Sequence, residues 1–516
     1  MRRIYSGAAE VNVYLGTQRD GSENIPYLLV KVIEAGVRCS KAGLIDGNLN
    51  SHAGPGVLEE FRLPDPKDKA WHELEFFFMR DWFRRIWVIQ EVTLAKKAMV
   101  TCGNWSLPWD SVMDGLFKAY LLCAGRFLKG TDTHDGYQIG TATTAFAQLN
   151  FLHDLKNENK AFKPWKLIDL LQVGRLSSAS HAHDYCYALM GLSQELGTQD
   201  LTIDYSLSTE AVYRQFSRFF VQQGHGVNVL YNAHTRKLSL PSWIPDWSVR
   251  DIAPIGISST PSGKIEANPA AAAATCHTSD IRLHNENPDV LIVRAVLFDS
   301  IKTIGRMHKR ATMKQEVKIN GKVEDYTHPN IALVGDCISE LHELLFKDGS
   351  HAVYATGEDQ ADITWRTLSC DCAKNSQQRA PPEYINYYRS LLLSIKASYP
   401  TCSLPHEPYF TSLTWNEAVQ NMMREAKDAL FMLELMKIHC LLRRRGRTSN
   451  GYVGQFPVDA RKGDVVCVPL GSAVPFVVRR VRGESFTLVG ECYVHGIMQG
   501  EIFERDSIDA KYIEIE

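Results

Sequence analysis

The stretch Arg80–Glu91 constrains the fold of this chain more than any other. It places two Trp, three Arg, a Phe, a Gln and a Glu within twelve residues. The spacing predicts a helix over Trp82–Ala95, on which Arg84, Trp87 and Glu91 share one face. Because an unpaired Arg or Glu packed against Trp is costly, the stretch predicts a supported polar network. Function is therefore expected here first.

Five side chains of this stretch form the predicted site, with Glu91 as its reactive carboxylate and Arg84, Arg85, Trp87 and Gln90 as its support. In one interpretation, the Arg and aromatic neighbours hold Glu91 toward a ligand cleft at the end of a sheet. In the other, an Arg–Glu pair packed with Trp fixes the helix to the sheet. If Arg84 and Glu91 form that pair in a buried place, removing Arg84 alone costs about 3–5 kcal/mol.

The composition indicates a globular protein with more than one core. A chain of 516 residues exceeds the size of one ordinary domain. Its hydrophobic content of 45% and its charged content of 22% are typical of folded soluble chains. The net charge of −2 supplies no basic field, so nucleic-acid binding is not indicated.

Targeting and metal-binding signals are not apparent. No apolar run reaches the length of a membrane span, and no apolar signal-peptide core follows Arg2 and Arg3. A cytoplasmic location is therefore expected. The twelve Cys are scattered and no pair of C-x-x-C motifs occurs, so free thiols and no metal site are expected.

Residues 1–105 are expected to form a partial open α/β layer, because strand, helix and strand follow one another there. Short apolar runs that end at a glycine indicate the two strands. The predicted elements are strands over Val11–Leu15 and Ala98–Cys102, helices over Ile25–Ala35 and Asp68–Met79, and a loop over Arg38–Leu63.

Residues 106–250 are expected to form an all-α section, because apolar residues recur there with the helical period. Asp184 and Ser208 are the expected N-caps of two helices. The predicted helices are Trp109–Phe127, Thr141–Leu155, Trp165–Leu171, Asp184–Leu192 and Ser208–Gln223.

Residues 251–445 are expected to be mixed, with a β-branched strand over Asp289–Phe298, a helix over Asn416–Leu442 and an Ala-rich surface loop over Thr260–Thr275.

Residues 446–516 are expected to form a small antiparallel β unit, because glycine turns separate short strands. The predicted strands are Val465–Pro469, Pro475–Val481 and Phe486–Glu491. The fold class is therefore an α/β layer with a partial open sheet, then an all-α section and a small antiparallel β unit, which is mixed α+β overall.

Two polar clusters have a structural and a functional interpretation. His181, His183 and Asp184 are expected to be a helix cap with surface histidines, and the alternative is a metal site. The run Arg443–Arg447 is expected to be a solvated face, and the alternatives are a nuclear signal or a phosphate patch.

Two further segments are expected to be structural. Trp243 and Trp247 are expected to pin a corner, where Asp246 accepts hydrogen bonds from backbone N–H groups. Tyr493–Glu501 is expected to make tight turns at its glycines.

The chain resembles the fungal heterokaryon-incompatibility (HET) family. Arg85–Glu91 is similar to the family's Arg-x-Trp-x-x-Gln-Glu block. Six further segments resemble family blocks in the same order along the chain. They are Ile4–Gly16, His183–Leu192, Asp204–Ser206 with Leu240–Ser248, Trp365–Leu368, Gly463 with Asp464, and Tyr493–Glu501. Family members usually begin with a Leu-Ser-Tyr-x-Trp-Gly strand and a Trp-Ile-Asp-x-Ile-Cys-Ile-Asn-Gln block, and neither occurs here. The sequence is therefore expected to lack the N-terminal part of a HET domain.

The resemblance implies a role in fungal non-self recognition and programmed cell death, through unknown protein partners. The family has been likened to the Toll/interleukin-receptor (TIR) fold, or more broadly to flavodoxin-like sheets, in which a Glu can cleave NAD. Glu91 would then stabilise the oxocarbenium-like transition state of that cleavage, with NAD as a substrate and no bound cofactor. The alternatives are a non-enzymatic interaction module and an inert truncated gene product, and the sequence favours these two over the hydrolase.

Overall fold

The computed structural model divides the chain into two compact units, Met1–Val212 and Tyr213–Glu516. The described residues are 1–18, 21–43, 57–65, 68–123, 149, 152–153, 155–157, 165–193, 195, 201–234, 236–249, 255, 257–259, 265–267, 273, 277–307, 317–319, 322–324, 329–346, 354–373, 379–398, 402, 404, 429, 431–433, 435–437, 439–440, 442–504 and 509–516.

The first unit places helices around a three-stranded sheet of order β1-β2-β3. Strands β1 and β2 are parallel, whereas β2 and β3 form an antiparallel hairpin. The elements are α1 (Arg2–Gly7), β1 (Val11–Tyr14), α2 (Ile25–Lys41), α3 (Val57–Glu60), α4 (Lys69–Phe78), α5 (Asp81–Arg84), α6 (Val88–Thr93), β2 (Ala98–Cys102), β3 (Trp105–Pro108), α7 (Trp109–Cys123), α8 (Leu167–Gly174) and α9 (Asp184–Met190).

The sheet of the first unit buries one face of β1. Val11 pairs with Ala98 and Tyr14 with Thr101. Val11 and Val13 are buried, whereas Asn12 and Tyr14 are exposed, which is the alternation of a half-buried strand. Within the described residues β1 has a strand on one side only, so it is the edge of this sheet.

Helices α2 and α7 cross at two glycines. A Cβ at Gly36 would lie 2.2 Å from Cδ of Lys118, and a Cβ at Gly115 would lie 2.6 Å from Cδ2 of Leu29. Neither position has room for a larger side chain without a shift. The missing side chains therefore allow the two helices to pack closely.

The predicted strands of the first unit are confirmed, and two details of the prediction are wrong. The loop predicted from Arg38 begins later, because α2 continues to Lys41 and buries Cys39 on its apolar face. Val57–Glu60 inside that loop is a short helix, and residues 44–56 lie outside the described residues. Strand β3 was not predicted, because it is short and pairs only through the turn at Gly103.

The helical section is confirmed in the described residues, with one correction at a cap. The Ser208 hydroxyl accepts a hydrogen bond from the Ala211 N–H at 3.2 Å, as expected of an N-cap. His183 precedes α9, so Asp184 is its first residue and not its N-cap. Residues 141–148 of the predicted helix Thr141–Leu155 lie outside the described residues.

The second unit combines a large, mainly antiparallel sheet with a helical segment. The boundary between the two units, after Val212, falls within helix α10. The elements are α10 (Thr209–Gln222), α11 (Gly226–Asn232), β4 (Ile257–Ser259), β5 (Ile265–Ala267), β6 (Ile281–Leu283), β7 (Leu291–Ile304), β8 (Val317–Ile319), β9 (Lys322–Glu324), α12 (Pro329–Phe346), α13 (Gln360–Leu368), α14 (Tyr384–Ser398), β10 (Arg443–Thr448), β11 (Val453–Pro457), β12 (Val465–Pro469), β13 (Phe476–Arg482), β14 (Ser485–Glu491), β15 (Tyr493–Val494), a 3₁₀ turn (Glu501–Glu504) and β16 (Ala510–Ile515).

Strand β7 organises this sheet. The order β7-β12-β13-β14-β16 returns to β7, so these five strands close into a ring. Neighbours in the ring are antiparallel except β14 and β16, which are parallel. Beyond Ile301, β7 also pairs with β10, which continues to β11 and β15. One 14-residue strand therefore belongs to both the ring and its extension.

A helical segment is inserted between the neighbouring strands β7 and β10. Ile304 pairs with Gly446, although helices α12–α14 lie between them in sequence. These helices have their own apolar core around Trp365, Tyr388 and Met436. A second core, around Phe456 and Val477, lies in the ring region.

The mixed α+β class and the antiparallel C-terminal sheet are confirmed. The sheet is larger than expected, because it includes β6, β7 and β10. The loop predicted over Thr260–Thr275 is partly wrong, because Ile265–Ala267 forms strand β5, which pairs with β4. The helix predicted over Asn416–Leu442 lies outside the described residues up to 428, and at its other end the chain enters β10 at Arg443. The four section boundaries and the TIR-like or flavodoxin-like sheet stay predictions.

Candidate functional site

The block Arg80–Glu91 forms two short helices, so the continuous helix predicted over Trp82–Ala95 is wrong. Arg85 between them is extended, with φ −73° and ψ 137°. The Ile86 N–H donates to the Ser178 carbonyl at 2.9 Å, and the Ser178 N–H donates to the Arg84 carbonyl at 2.5 Å. This short strand-like bridge satisfies backbone groups that a helix would otherwise pair. Arg84 and Glu91 therefore lie on different helices.

Among the described residues, Glu91 has a tyrosine partner and no ion pair with an arginine. Arg85 is exposed, and Arg84, Trp87 and Glu91 are half-buried. The hydroxyl of Tyr5, on α1, is hydrogen-bonded to the Glu91 carboxylate. Burial raises the pKa of Tyr5, and Glu91 raises it further. No ion pair joins Arg84 to Glu91 in the described part of the chain.

Gln90 is the most buried polar side chain of the five predicted site residues, with 2% exposure. Its Nε2 donates to the Ala188 carbonyl of α9 at 2.6 Å. A Cβ at Gly191, which ends α9, would lie 2.7 Å from that Nε2. The structure therefore brings together two of the segments quoted from the sequence, and the glycine leaves room for the Gln90 amide.

Arg80 is the buried arginine of this region, and sequence reasoning missed its role. Its Nη1 donates to the Leu15 carbonyl at 2.7 Å, and its Nη2 donates to the Ser22 hydroxyl at 3.1 Å. Arg80 thus binds the segment that leaves the carboxyl end of β1. Tyr5 and Glu91, by contrast, lie on helices that lead into the amino ends of β1 and β2. Open α/β sheets bind ligands at the carboxyl ends of their strands.

The cluster at the start of α9 is aromatic as well as polar. The Tyr205 hydroxyl donates to Oδ1 of Asp184 at 2.6 Å, and its ring packs edge-on against Tyr187 at 5.2 Å. Nε2 of His183 is hydrogen-bonded to the Leu207 carbonyl at 2.8 Å. The described residues contain no group of His, Cys, Asp and Glu side chains that could hold a metal ion.

The corner around Asp246 matches its prediction. Oδ2 of Asp246 accepts from the N–H groups of Lys237 and Leu238 at 3.0 and 3.2 Å. Oδ1 accepts from the Ser248 N–H and hydroxyl at 3.1 and 2.6 Å. Trp243 and Trp247 are fully buried beside it. A carboxylate with four hydrogen bonds fixes the corner.

The prediction for the run Arg443–Arg447 is wrong in both of its forms, because the run is strand β10 and its alternate arginines are buried. Nη2 of Arg443 donates to Oε1 of the fully buried Glu491 at 2.8 Å. Arg445, with no exposed surface, donates to Oε2 of Glu340 from Nε at 2.9 Å and lies 2.8 Å from it at Nη2. The run is therefore neither a solvated face nor an accessible phosphate patch or nuclear signal.

Trp365–Leu368 and Tyr493–Glu501 meet in a second charged cluster. Nε2 of His495 lies 2.5 Å from Oε2 of Glu358, and Nδ1 lies 2.9 Å from the Tyr493 hydroxyl. Arg366 lies 3.6 Å from Glu358 and 2.5 Å from Asp371. The hydrogen bond from His495 lowers the pKa of Glu358 to about 2, and Thr356 and Arg366 contribute. The structural role expected for Tyr493–Glu501 fits this arrangement.

The fold and these clusters define a mixed α+β protein whose second unit closes a β-ring around one shared strand. Residues 288–513, which run from before β7 into β16, match the family model described as the Het-6 beta-barrel domain. This match and the sequence blocks quoted above both indicate similarity to heterokaryon-incompatibility (HET) proteins.

One relative is similar over nearly the whole chain. Over 567 residues the chain is 22% identical to "Heterokaryon incompatibility protein 6, OR allele" of Neurospora crassa. The match covers 97% of this chain and 78% of that protein. No solved structure matches the chain. The similarity supports a fungal HET-type function. Among the described helices, none combines the length and apolar character that crossing a membrane requires.

Proposed function

We propose that this protein acts in the cytoplasm in fungal heterokaryon incompatibility, as an interaction and signalling module for non-self recognition and programmed cell death. The name of its Neurospora relative supports the process. The contacts made by the side chains of Arg80–Glu91 favour an interaction module over an enzyme. Arg80 and Gln90 hold backbone carbonyls of the same unit, and Glu91 holds Tyr5.

The second candidate function is an NAD-type hydrolase that uses Glu91. One observation favours it: Glu91 is half-buried beside an ionisable tyrosine, and a carboxylate in such a place can stabilise a cationic sugar-like transition state. Against it stands the position of Glu91 on the helix that enters the amino end of β2, away from the strand ends at which open α/β sheets bind ligands.

Inducible expression of the 516-residue chain in a filamentous fungus distinguishes the two functions. We expect growth arrest on induction, equal arrest with Glu91→Gln, and unchanged cellular NAD before arrest. Glu34→Gln, which removes an exposed carboxylate from α2, is the matched control. A fall in NAD that Glu91→Gln abolishes, with the thermal unfolding of the variant unchanged, would establish the hydrolase. If the chain altered neither growth nor heterokaryon formation between strains of different genotype, the role in incompatibility would be wrong.

A further inference from the structure

A short apolar ridge stands on the surface of the first unit, just before α10. Ile203 is 58% exposed, Tyr205 51% and Leu207 36%. Three large apolar side chains within five residues are thus left in water. Scattered apolar residues are normal on a surface, whereas a contiguous group marks an interaction site more often. We name residues 203–207 the apolar ridge.

The apolar ridge is held in one conformation by hydrogen bonds. The Asp204 carboxylate accepts from the N–H and hydroxyl of Ser206 at 2.8 and 2.6 Å. The Tyr187 hydroxyl donates to the Asp204 carbonyl at 3.0 Å. Asp184 and His183 hold the middle and the C-terminal end of the ridge through the Tyr205 hydroxyl and the Leu207 carbonyl. A partner would therefore contact apolar side chains that are already ordered, so binding would lose little of their conformational entropy.

The sequence around the apolar ridge is acidic. From Leu176 to Tyr213 the sequence contains no Lys or Arg, and it contains five carboxylates. In the described part of the chain, no Lys or Arg lies within ion-pair distance of Asp184 or Asp204. Asp184 is buried and accepts from the Tyr205 hydroxyl, whereas Asp204 is a half-buried residue of the ridge itself. The ridge thus combines rigid aromatic and aliphatic surface with one solvent-accessible carboxylate, Asp204, that has no ion-pair partner among the described residues.

We infer that the apolar ridge is a docking surface for a protein segment that carries Lys or Arg beside large apolar residues. The apolar residues of the partner would bury against Ile203, Tyr205 and Leu207, and a cation of the partner would approach Asp204. This inference deepens the proposed function, because an interaction module needs a surface for its partner. Tyrosine anchors with fixed side chains are typical of the residues that dominate binding at such surfaces.

The test uses the purified 516-residue chain and a fluorescent synthetic helix with Leu on one face and Lys on the other. We expect the Lys helix to bind, its affinity to fall with added salt, and a Glu counterpart to bind far more weakly. Ile203→Ser with Leu207→Ser should weaken the Lys helix by about tenfold. Both changes are at exposed positions, so the fold should persist, and thermal unfolding checks that.

The matched control is Tyr27→Ser with Val30→Ser on α2. These side chains are 67% and 51% exposed, and Nζ of Lys31 lies 4.6 Å from the Tyr27 ring, so a cation of the protein itself already lies against this surface. The control should leave binding of the Lys helix unchanged. Equal binding by the ridge variant, or equal binding of the Glu helix, would overturn the inference.

Self-association is the other outcome that the test can separate. If analytical ultracentrifugation shows that the chain dimerises and that the ridge variant abolishes the dimer, the occupant is a second copy, and a basic partner is wrong. The binding assay involves no fungal phenotype. Its failure would leave the proposed function standing, and a failed growth-arrest experiment would leave the binding result standing.

Discussion

The two arginine-rich blocks of this chain differ in which of their arginines are buried. In the first unit, Arg84 and Arg85 are half-buried and exposed, although Trp and Glu residues surround them in sequence. In the second unit, Arg443 and Arg445 lie in a run that looks like a solvated patch, yet both are buried against Glu491 and Glu340. Of the three arginines in Arg80–Glu91 only Arg80 is buried, at 7% exposure, so the aromatic-rich composition did not indicate which arginine would be buried. Arg443 and Arg445 are buried because they are alternate residues of strand β10. The glutamates that pair with them come from distant parts of the sequence.

The largest expected difference between the two blocks is in stability. Arg445→Met leaves Glu340 as a buried carboxylate without its ion pair, and should lower the free energy of unfolding by about 3–5 kcal/mol. Changing both residues to Met should cost less than the sum of the single changes, because no uncompensated charge remains. Urea unfolding of the full chain measures both.

Arg480→Met is the control for this first prediction. Arg480 forms an exposed pair with Glu484 at 3.8 Å, so its loss should cost less than about 1 kcal/mol. If Arg445→Met and Arg480→Met cost the same, the contrast between buried and exposed arginines would fail.

The second prediction concerns pH. Burial, with Arg443 contributing, lowers the pKa of His439 to about 3. In the unfolded chain its pKa is about 6.5, so the unfolded state binds the proton more readily. The stability linked to neutral His439 is therefore full above about pH 6.5 and is lost as the pH falls toward 3, with a slope of up to about 1.4 kcal/mol per pH unit.

The free energy of unfolding, measured from pH 7 to pH 4 for the unchanged chain and for a variant at His439, tests this second prediction. His439→Leu removes the titration, and should flatten the pH dependence over that range even if it changes stability at pH 7. An unchanged slope in His439→Leu would mean that other groups produce the acid sensitivity.

The third prediction concerns packing in the first unit. Gly191 has a φ of −63°, which Ala adopts easily, so Gly191→Ala tests only the space beside Gln90. The added Cβ should displace the Gln90 amide from the Ala188 carbonyl and cost about 1–3 kcal/mol. In a Gln90→Ala background the cost should be smaller. Gly7→Ala, where a Cβ meets nothing within 4 Å, is the control and should be close to neutral.

The smallest expected effect corrects the partner of Glu91. A double-mutant cycle of Tyr5→Phe with Glu91→Gln should give a coupling of about 0.5–1.5 kcal/mol, because the hydroxyl and the carboxylate are hydrogen-bonded. The cycle of Arg84→Met with Glu91→Gln should give nearly none. A larger coupling for Arg84 would restore the ion pair that the sequence predicted.

The sequence predicted elements whose signals are local. Val11–Leu15, Ala98–Cys102 and Val465–Pro469 were recognised because short apolar runs end at glycines or turns. The break at Arg85 was not predictable, because its bridging partner Ser178 is remote in sequence. Strand β10 was missed for the same reason, since Glu340 and Glu491, which neutralise its arginines, lie in other elements.

The same distinction between local signals and contacts remote in sequence applies to the predicted site. The motif included Gln90, whose side chain is buried and hydrogen-bonded to the Ala188 carbonyl. Arg80 was overlooked, however, because its partners Leu15 and Ser22 become neighbours only when the sheet forms. The roles assigned to Arg84, Arg85, Trp87 and Glu91 stay predictions.

Strand β7 belongs to both the ring and its extension, and this affects how the chain folds while it is being synthesised. Its ring neighbour β16 ends at Ile515, roughly 210 residues after β7 ends. At about 5–20 residues per second, synthesis of that distance takes roughly 10–40 s. Throughout that time a 14-residue strand rich in Val, Ile and Leu has emerged without the partner that closes its ring. The nascent chain therefore carries an unpaired apolar strand during that time, and we expect a slowed ribosome between residues 304 and 510 to lower the yield of folded protein.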